Sequence, residues 1–341
     1  MKELTSKDTK MLQGLSVLAM VCLHLFDTWD YADKFIPILY WGGVPISFYI
    51  AQLSDFCVFG FAFCSGYGHY AQSDKKDYFK NRLKSLLSLL CIYWMILFIF
   101  SVISIIVGQS DFMPGSIQKF VLNFLTLENS YNGATWYVFI YILIVVISPI
   151  ILKVIKQYNS IIVLLGGFII YFIAYYLRFN YVSGGYMTGM LGKFGMTLFE
   201  YMIGAVCCKI KIMSWLYTVW KKQGKFAHWI LTSMLLVALL YVRTRIIPSL
   251  FVAPISGAIV MILFHFWDKP HFIKNMFSFV GRHSTNIWLI HMYFYLQPFK
   301  GFVFIAKYPP LIFLLMMLIT IVFSIILQFI EKPLQQRIAD I

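Results

Sequence analysis

The chain has 341 residues, of which 60% are hydrophobic and only 12% charged, and its mean hydropathy is +0.78. A soluble domain of this size cannot bury so much apolar surface, so part of its solvent must be lipid. The formal charge of +14 would suggest a nucleic-acid ligand in a soluble protein. In a membrane protein, Lys and Arg instead gather in cytoplasmic loops and set topology.

A membrane span needs about 20 mostly apolar residues. Ten stretches qualify, in chain order 11–27, 44–70, 86–107, 136–152, 160–178, 189–208, 226–242, 246–267, 284–299 and 308–330. The expected architecture is an all-α integral-membrane bundle of about ten transmembrane helices, with residues 1–341 forming one domain. The second stretch is long enough to tilt or to carry a re-entrant piece, and the eighth is interrupted by Pro248 and Pro254. The first follows a charged N-terminal stretch and lacks an A-x-A cleavage pattern, so it is expected to be retained. The segment 108–135 is expected to be an ordered loop on the outer side.

If the connecting segments alternate sides, most of the 28 basic residues fall on the side that holds the N-terminus. Both termini are then cytoplasmic, and the charge is spent on topology, which removes nucleic acid as a partner. The lipid bilayer is the partner that composition implies. Six cysteines lie in or beside apolar stretches without metal-ligand spacing, and read as reduced packing thiols, so no metal is expected.

Polar groups at membrane depth are costly and tend to face a cavity or a partner. In "KMLQGLSVLAMVCLHLF" (10–26), helical phase puts Lys10, Gln13 and His24 near one face of the first helix. An imidazole there can accept a proton from a hydroxyl, or it can be a core histidine bonded to a neighbouring helix. Ser65, in "FCSGYGHY" (63–70), can be a helix–helix hydrogen-bonding group, a nucleophile or a substrate contact. Lys80, Arg82 and Lys84 at the mouth of the third span are topology signals that a phosphate-rich ligand would also use. Glu200 is an acid inside the sixth span. "GRHSTNIWLIH" brings Arg282, His283, Ser284 and Asn286 to a helix start, with His291 about two turns further. In "IEKPL" (330–334), Pro333 is expected to stop the last helix.

Taken in order, these segments resemble the integral-membrane acyltransferase-3 family. "QGLSVLAMVCLH" keeps the Gly and the His of the family's first span, with Gln13 where a basic residue is expected. "FGFAFCSGYGH" is similar to its F-F-x-x-S-G-Y/F segment. "KNRLKSLLSLLCIYW" is similar to its basic stretch before the third span, without the customary Pro before the Tyr. "ATWYV", "EYMIGAV", "GRHSTNIWLIH" and "EKP" resemble later family segments, and the matches run from about residue 8 to 334.

The resemblance implies acyl transfer, commonly of acetyl from cytoplasmic acetyl-CoA, as acyl donor and co-substrate, to a hydroxyl of a cell-surface polysaccharide or lipid-linked glycan. The location implied is a bacterial plasma membrane, with the chain crossing it many times. His24 would be catalytic. Lys10, Gln13, Arg82, Lys84 and Arg282 would hold the donor, and Ser65, Tyr67, Trp136, Glu200, Ser284 and His291 the substrate. Gln13 and His24 lie about 16 Å apart along a helix, comparable with an extended pantetheine arm. An amide at Gln13 can bond a phosphate without neutralising it, so Lys10 or Arg82 is expected to supply the charge. A competing class is a transporter or exporter of a glycan intermediate or other small polar solute, with the same polar stripe serving as a pathway.

Overall fold

The structure, a computed structural model, describes residues 3–180, 185–222, 224–246 and 253–340. About 80% of it is helical, with almost no strand. In chain order the helices are α1 (Ser6–Phe26), α2 (Ile46–Leu53), α3 (Cys57–Gln72), α4 (Tyr78–Ile106), α5 (Ile117–Phe124), α6 (Trp136–Gln157) and α7 (Ser160–Asn180). They continue as α8 (Gly185–Lys209), α9 (Ile212–Trp220), α10 (Lys225–Arg245), α11 (Ala253–Phe266), α12 (His271–Ile290) and α13 (Pro309–Asp340). A two-stranded antiparallel ribbon, β1 (Tyr40–Trp41) with β2 (Val44–Pro45), precedes α2.

Local chemistry explains the helix starts. Thr5 and Asp8 cap each other ahead of α1: the Thr5 amide donates to Asp8 Oδ2 at 2.9 Å, and the Asp8 amide donates to Thr5 Oγ1 at 3.2 Å. Asn132 accepts the Ala134 amide at 3.0 Å before α6. α13 opens on Pro309 and Pro310, whose missing donors cost nothing in a first turn.

Among the described residues, eight helical segments are long and apolar enough to cross a membrane, against the ten expected. The stretch 246–267 yields the fourteen-residue α11, and Pro248 lies outside the described residues. The stretch 284–299 is not one helix. α12 starts thirteen residues earlier, at His271, ends at Ile290, and is followed by a 3-10 turn over His291–Phe294. The early start escapes a hydropathy reading because the first half of α12 is amphipathic rather than uniformly apolar. Pro333 does not stop the last helix either: α13 continues through it to Asp340. The Lys84 ammonium donates to the Ala339 carbonyl at 2.6 Å, satisfying one of the acceptors that a helix end leaves open. The stretch 108–135 is ordered as expected. It contains α5, capped by Ser116, and Tyr93 and Trp94 donate to the carbonyls of Asn123 and Phe124 at 2.5 and 2.9 Å.

The chain divides into two compact units. The first comprises residues 1–23, 49–78 and 146–282. Its helices meet backbone to backbone at glycines. A Cβ on Gly204 of α8 would collide with the Phe63 carbonyl of α3, and one on Gly66 of α3 with the Tyr201 carbonyl of α8. A second such crossing joins α1 and α12: a Cβ on Gly14 would strike the Phe277 carbonyl, and one on Gly281 the Lys10 carbonyl. In lipid, close packing of this kind replaces the hydrophobic drive between helices. The same unit buries an ion pair, Arg243 to Asp55 at 2.7 Å. Arg243 also donates to the Gln52 carbonyl and amide oxygens, so its guanidinium is richly satisfied.

The second unit comprises residues 24–48, 79–145 and 283–341. Its core is aromatic. Phe100 of α4 stacks on Tyr293 at 4.1 Å between ring centres, and Phe294 meets Phe323 of α13 edge-on at 5.1 Å. His283 bonds Ser324 of α13 at 2.8 Å, and Asn286 donates to the same hydroxyl at 3.0 Å.

Replacing Gly204 by Val should force α3 and α8 apart at a cost of about 1–3 kcal/mol. The variant should melt at lower temperature in detergent. Gly166→Ala, whose Cβ would meet nothing within 4 Å, should melt at or above the parent temperature.

Candidate active site

The end of α12 organises the site. The last four carbonyls of a helix have no partner within it. In α12 the Leu289 carbonyl accepts from the Asn132 amide at 2.7 Å. His291 Nδ1 stands 2.8 Å from the Trp288 carbonyl and 3.2 Å from that of Ile287. The turn Asn132–Thr135 grips this end from outside: Trp288 Nε1 donates to the Ala134 carbonyl at 2.9 Å, and the Ala134 amide meets Met292 Sδ at 3.0 Å. His291 is fully buried by these contacts.

His291 in turn receives His24. The two imidazoles lie 2.8 Å apart, His24 Nδ1 to His291 Nε2, with ring planes inclined by only 15°. His24 sits in the last turn of α1, where a half-buried imidazole has one nitrogen tied to the protein. Its other nitrogen, Nε2, makes no hydrogen bond to any described residue. An imidazole so placed can take a proton from a hydroxyl and return it to a leaving group.

The other sequence-predicted residues divide between the two units. In the second unit, Trp136 opens α6 and packs edge-on against Tyr137, at 5.5 Å between ring centres, and Tyr137 packs edge-on against Trp288. Ser284 is buried on α12 beside His283. Arg82 is half-buried on α4, and Lys84 is engaged with the end of α13.

In the first unit, Ser65 donates to the Phe61 carbonyl of its own helix at 2.9 Å. The buried Tyr67 hydroxyl donates to Glu3 and accepts the Leu4 amide at 3.1 Å, pinning the N-terminal segment to α3. Glu200 is buried, with Asp55 and Arg178 as charged neighbours, and its Oε2 has no hydrogen-bond partner. Gln13 Oε1 is likewise buried without a partner.

A pocket of about 800 Å³ opens in the first unit, lined by Lys7, Phe272, Asn275, Met276, Ser278, Phe279 and Arg282. Its α12 residues share one helical face, spaced three and four apart. Lys10 lies close enough to Arg282 for the two cations to repel, and among the described residues neither Lys7, Lys10 nor Arg282 is in an ion pair with a carboxylate. Like charges gathered on one face raise the local positive potential.

Sequence reasoning gave Asn132, Trp288 and Met292 no role. The available signal was Asn132 itself, a helix-capping residue type ahead of Gly133 and a run of helix.

The acyltransferase-domain family model matches residues 10–329, nearly the whole chain. The chain therefore belongs to the acyltransferase-3 family of membrane proteins, and His24 and His291 both lie inside the matched region. No curated protein and no solved structure matches it significantly.

Asn132→Ala deletes two buried hydrogen bonds, one to the Leu289 carbonyl at the end of α12 and one from the Ala134 amide that shapes the turn gripping it. It should cost about 1–3 kcal/mol of stability, read as a lowered melting temperature, and should lower turnover more than it alters substrate affinity.

Proposed function

We propose that the protein is a membrane O-acyltransferase that moves an acetyl group from cytoplasmic acetyl-CoA to a hydroxyl of a cell-surface polysaccharide or lipid-linked glycan. Membership of the family supports acyl transfer. The observation that carries the catalytic assignment is the His24–His291 pair, with His24 Nε2 uncommitted.

In this reading His24 Nε2 removes the proton of the acceptor hydroxyl as its oxygen attacks the thioester carbonyl. A C–O bond forms, the carbonyl electrons move to oxygen, and their return expels the CoA sulfur. The proton held on His24 passes to that sulfur. The products are an ester and free CoA thiol, and the imidazole ends neutral as it began.

The donor's phosphates fit the unneutralised cations Lys7, Lys10 and Arg282, and the guanidinium of Arg282 suits a phosphate's paired oxygens. Phe272 and Phe279 offer flat apolar faces beside them. Gln13 then need not replace a charge: its unpartnered Oε1 is an acceptor suited to an amide N–H, which the pantetheine arm carries twice. The distribution of basic residues favours ten spans in a bacterial plasma membrane, with both termini cytoplasmic.

Trp136 and Ser284 are the candidate acceptor contacts in the unit that holds His24, and Ser65, Tyr67 and Glu200 are candidates within their own unit. Arg82 and Lys84 are candidate phosphate-binding cations within the second unit. Transport of a glycan intermediate would use polar residues without acyl chemistry, and the experiment below separates the two.

His24→Ala should leave surface glycan abundant but cut its O-acyl esters, measured by NMR, by about a hundredfold or more. Loss of the glycan itself would favour transport. In membranes supplied with acetyl-CoA, Lys7→Ala/Arg282→Ala should raise the donor KM about tenfold or more, with kcat changed less, since each lost charge-assisted bond is worth about 1.5–3 kcal/mol. An unchanged donor KM would remove the pocket from the reaction.

A further inference from the structure

We infer that His291 is a positioning residue that fixes the tautomer of His24 and connects it to the carbonyl end of α12, in the place that a carboxylate takes in many histidine-based sites. The inference rests on the acyl-transfer reading above, and it concerns how the base is oriented and charged.

The order of protons follows from the acceptors. The two groups facing His291 Nδ1 are carbonyl oxygens, 2.8 and 3.2 Å away, and a carbonyl has no hydrogen to give. Nδ1 of His291 must therefore carry the hydrogen. In a neutral imidazole the other nitrogen is then a bare acceptor, so His291 Nε2 can only receive. The atom 2.8 Å from it is His24 Nδ1, which must be the donor. A neutral His24 with its hydrogen on Nδ1 has its lone pair on Nε2, the nitrogen without a partner in the protein. One helix end thus dictates, through two rings, which nitrogen of His24 is basic.

The same chain of bonds survives the reaction. When His24 Nε2 takes the acceptor's proton, Nδ1 keeps its hydrogen and continues to donate to His291. No ring has to turn and no bond has to change partner, which is the condition for electrostatic help without reorganisation. The new positive charge lies on a ring bonded to His291, and His291 donates into the carbonyl end of α12. A helix C-terminus carries roughly half a negative charge and favours cations within its last turn. The ladder polarises toward that end, as an Asp partner would allow in a catalytic triad, but without a second ionised group in a lipid-facing protein.

Conservative replacement separates positioning from packing. His291→Gln keeps an amide hydrogen for the Trp288 carbonyl and an oxygen for His24 Nδ1, whereas His291→Phe keeps a flat buried ring and neither bond. Both variants, purified in detergent, are assayed for acyl transfer from labelled acetyl-CoA beside His24→Ala, with melting temperature and donor KM as controls.

Nitrogen-15 NMR of histidine-labelled protein, assigned through the His24→Ala spectrum, reads the tautomer directly. The expected result is that Gln retains activity within about tenfold of the parent, while Phe loses about a hundredfold in kcat at unchanged donor KM. In the parent, His24 should show a protonated Nδ1 and a bare Nε2, and in His291→Phe a mixture of tautomers.

Equal activity of His291→Phe and parent, with His24→Ala inactive, would overturn the positioning role and leave the acyl-transfer reading intact. An active His24→Ala would overturn the acyl-transfer reading itself. If His291→Phe fails to fold, the parent spectrum still decides: a bare Nδ1 on His24 contradicts the inference.

Discussion

In a chain whose solvent is largely lipid, an imidazole has to find its hydrogen bonds within the protein, and His24 finds one of its two in His291. The contact spans 267 positions of sequence. It depends on α12 stopping at Ile290, because a helix continued through His291 would consume the carbonyls that orient that ring. The stop depends in turn on the Asn132–Thr135 turn, which takes the Leu289 carbonyl and fastens Trp288. A short, buried, capped turn is thereby linked through two imidazole rings to a residue on another helix.

The first unit solves a different problem. Its helices approach at Gly14, Gly66, Gly204 and Gly281 until backbone meets backbone. The crossing of α1 and α12 at Gly14 and Gly281 brings Lys7 and Arg282 to one pocket with three aromatic or thioether side chains. Cations concentrated there are the basis on which the phosphate-bearing donor is proposed to bind. The buried Arg243–Asp55 pair shows the opposite arrangement, in which charge is matched internally and the group is held by its neighbours.

Much of this fold is legible in the sequence. Long, nearly unbroken apolar runs located α4, α6, α7 and α13, because length and hydropathy are what lipid demands, but α4 begins eight residues before its apolar run and α13 ends ten residues after its own. The exceptions are instructive. α12 carries its apolar residues on one face, so its first half, His271 to His283, reads as polar although it packs against α1. Pro333 reads as a stop, yet proline forbids only one backbone bond and α13 continues past it. The His24–His291 contact was not legible in the sequence. His24 and His291 each stand out as histidines in apolar surroundings, but no periodicity links positions on different helices.

An experimental structure of the protein bound to a non-reactive acetyl-CoA analogue tests the central claim most directly. The account predicts His24 Nδ1 within hydrogen-bond distance of His291, and His24 Nε2 turned toward the analogue's acyl carbon and the space for an acceptor hydroxyl. A His24 ring bonded to the protein through Nε2, or one that stands away from the acyl group, would contradict it.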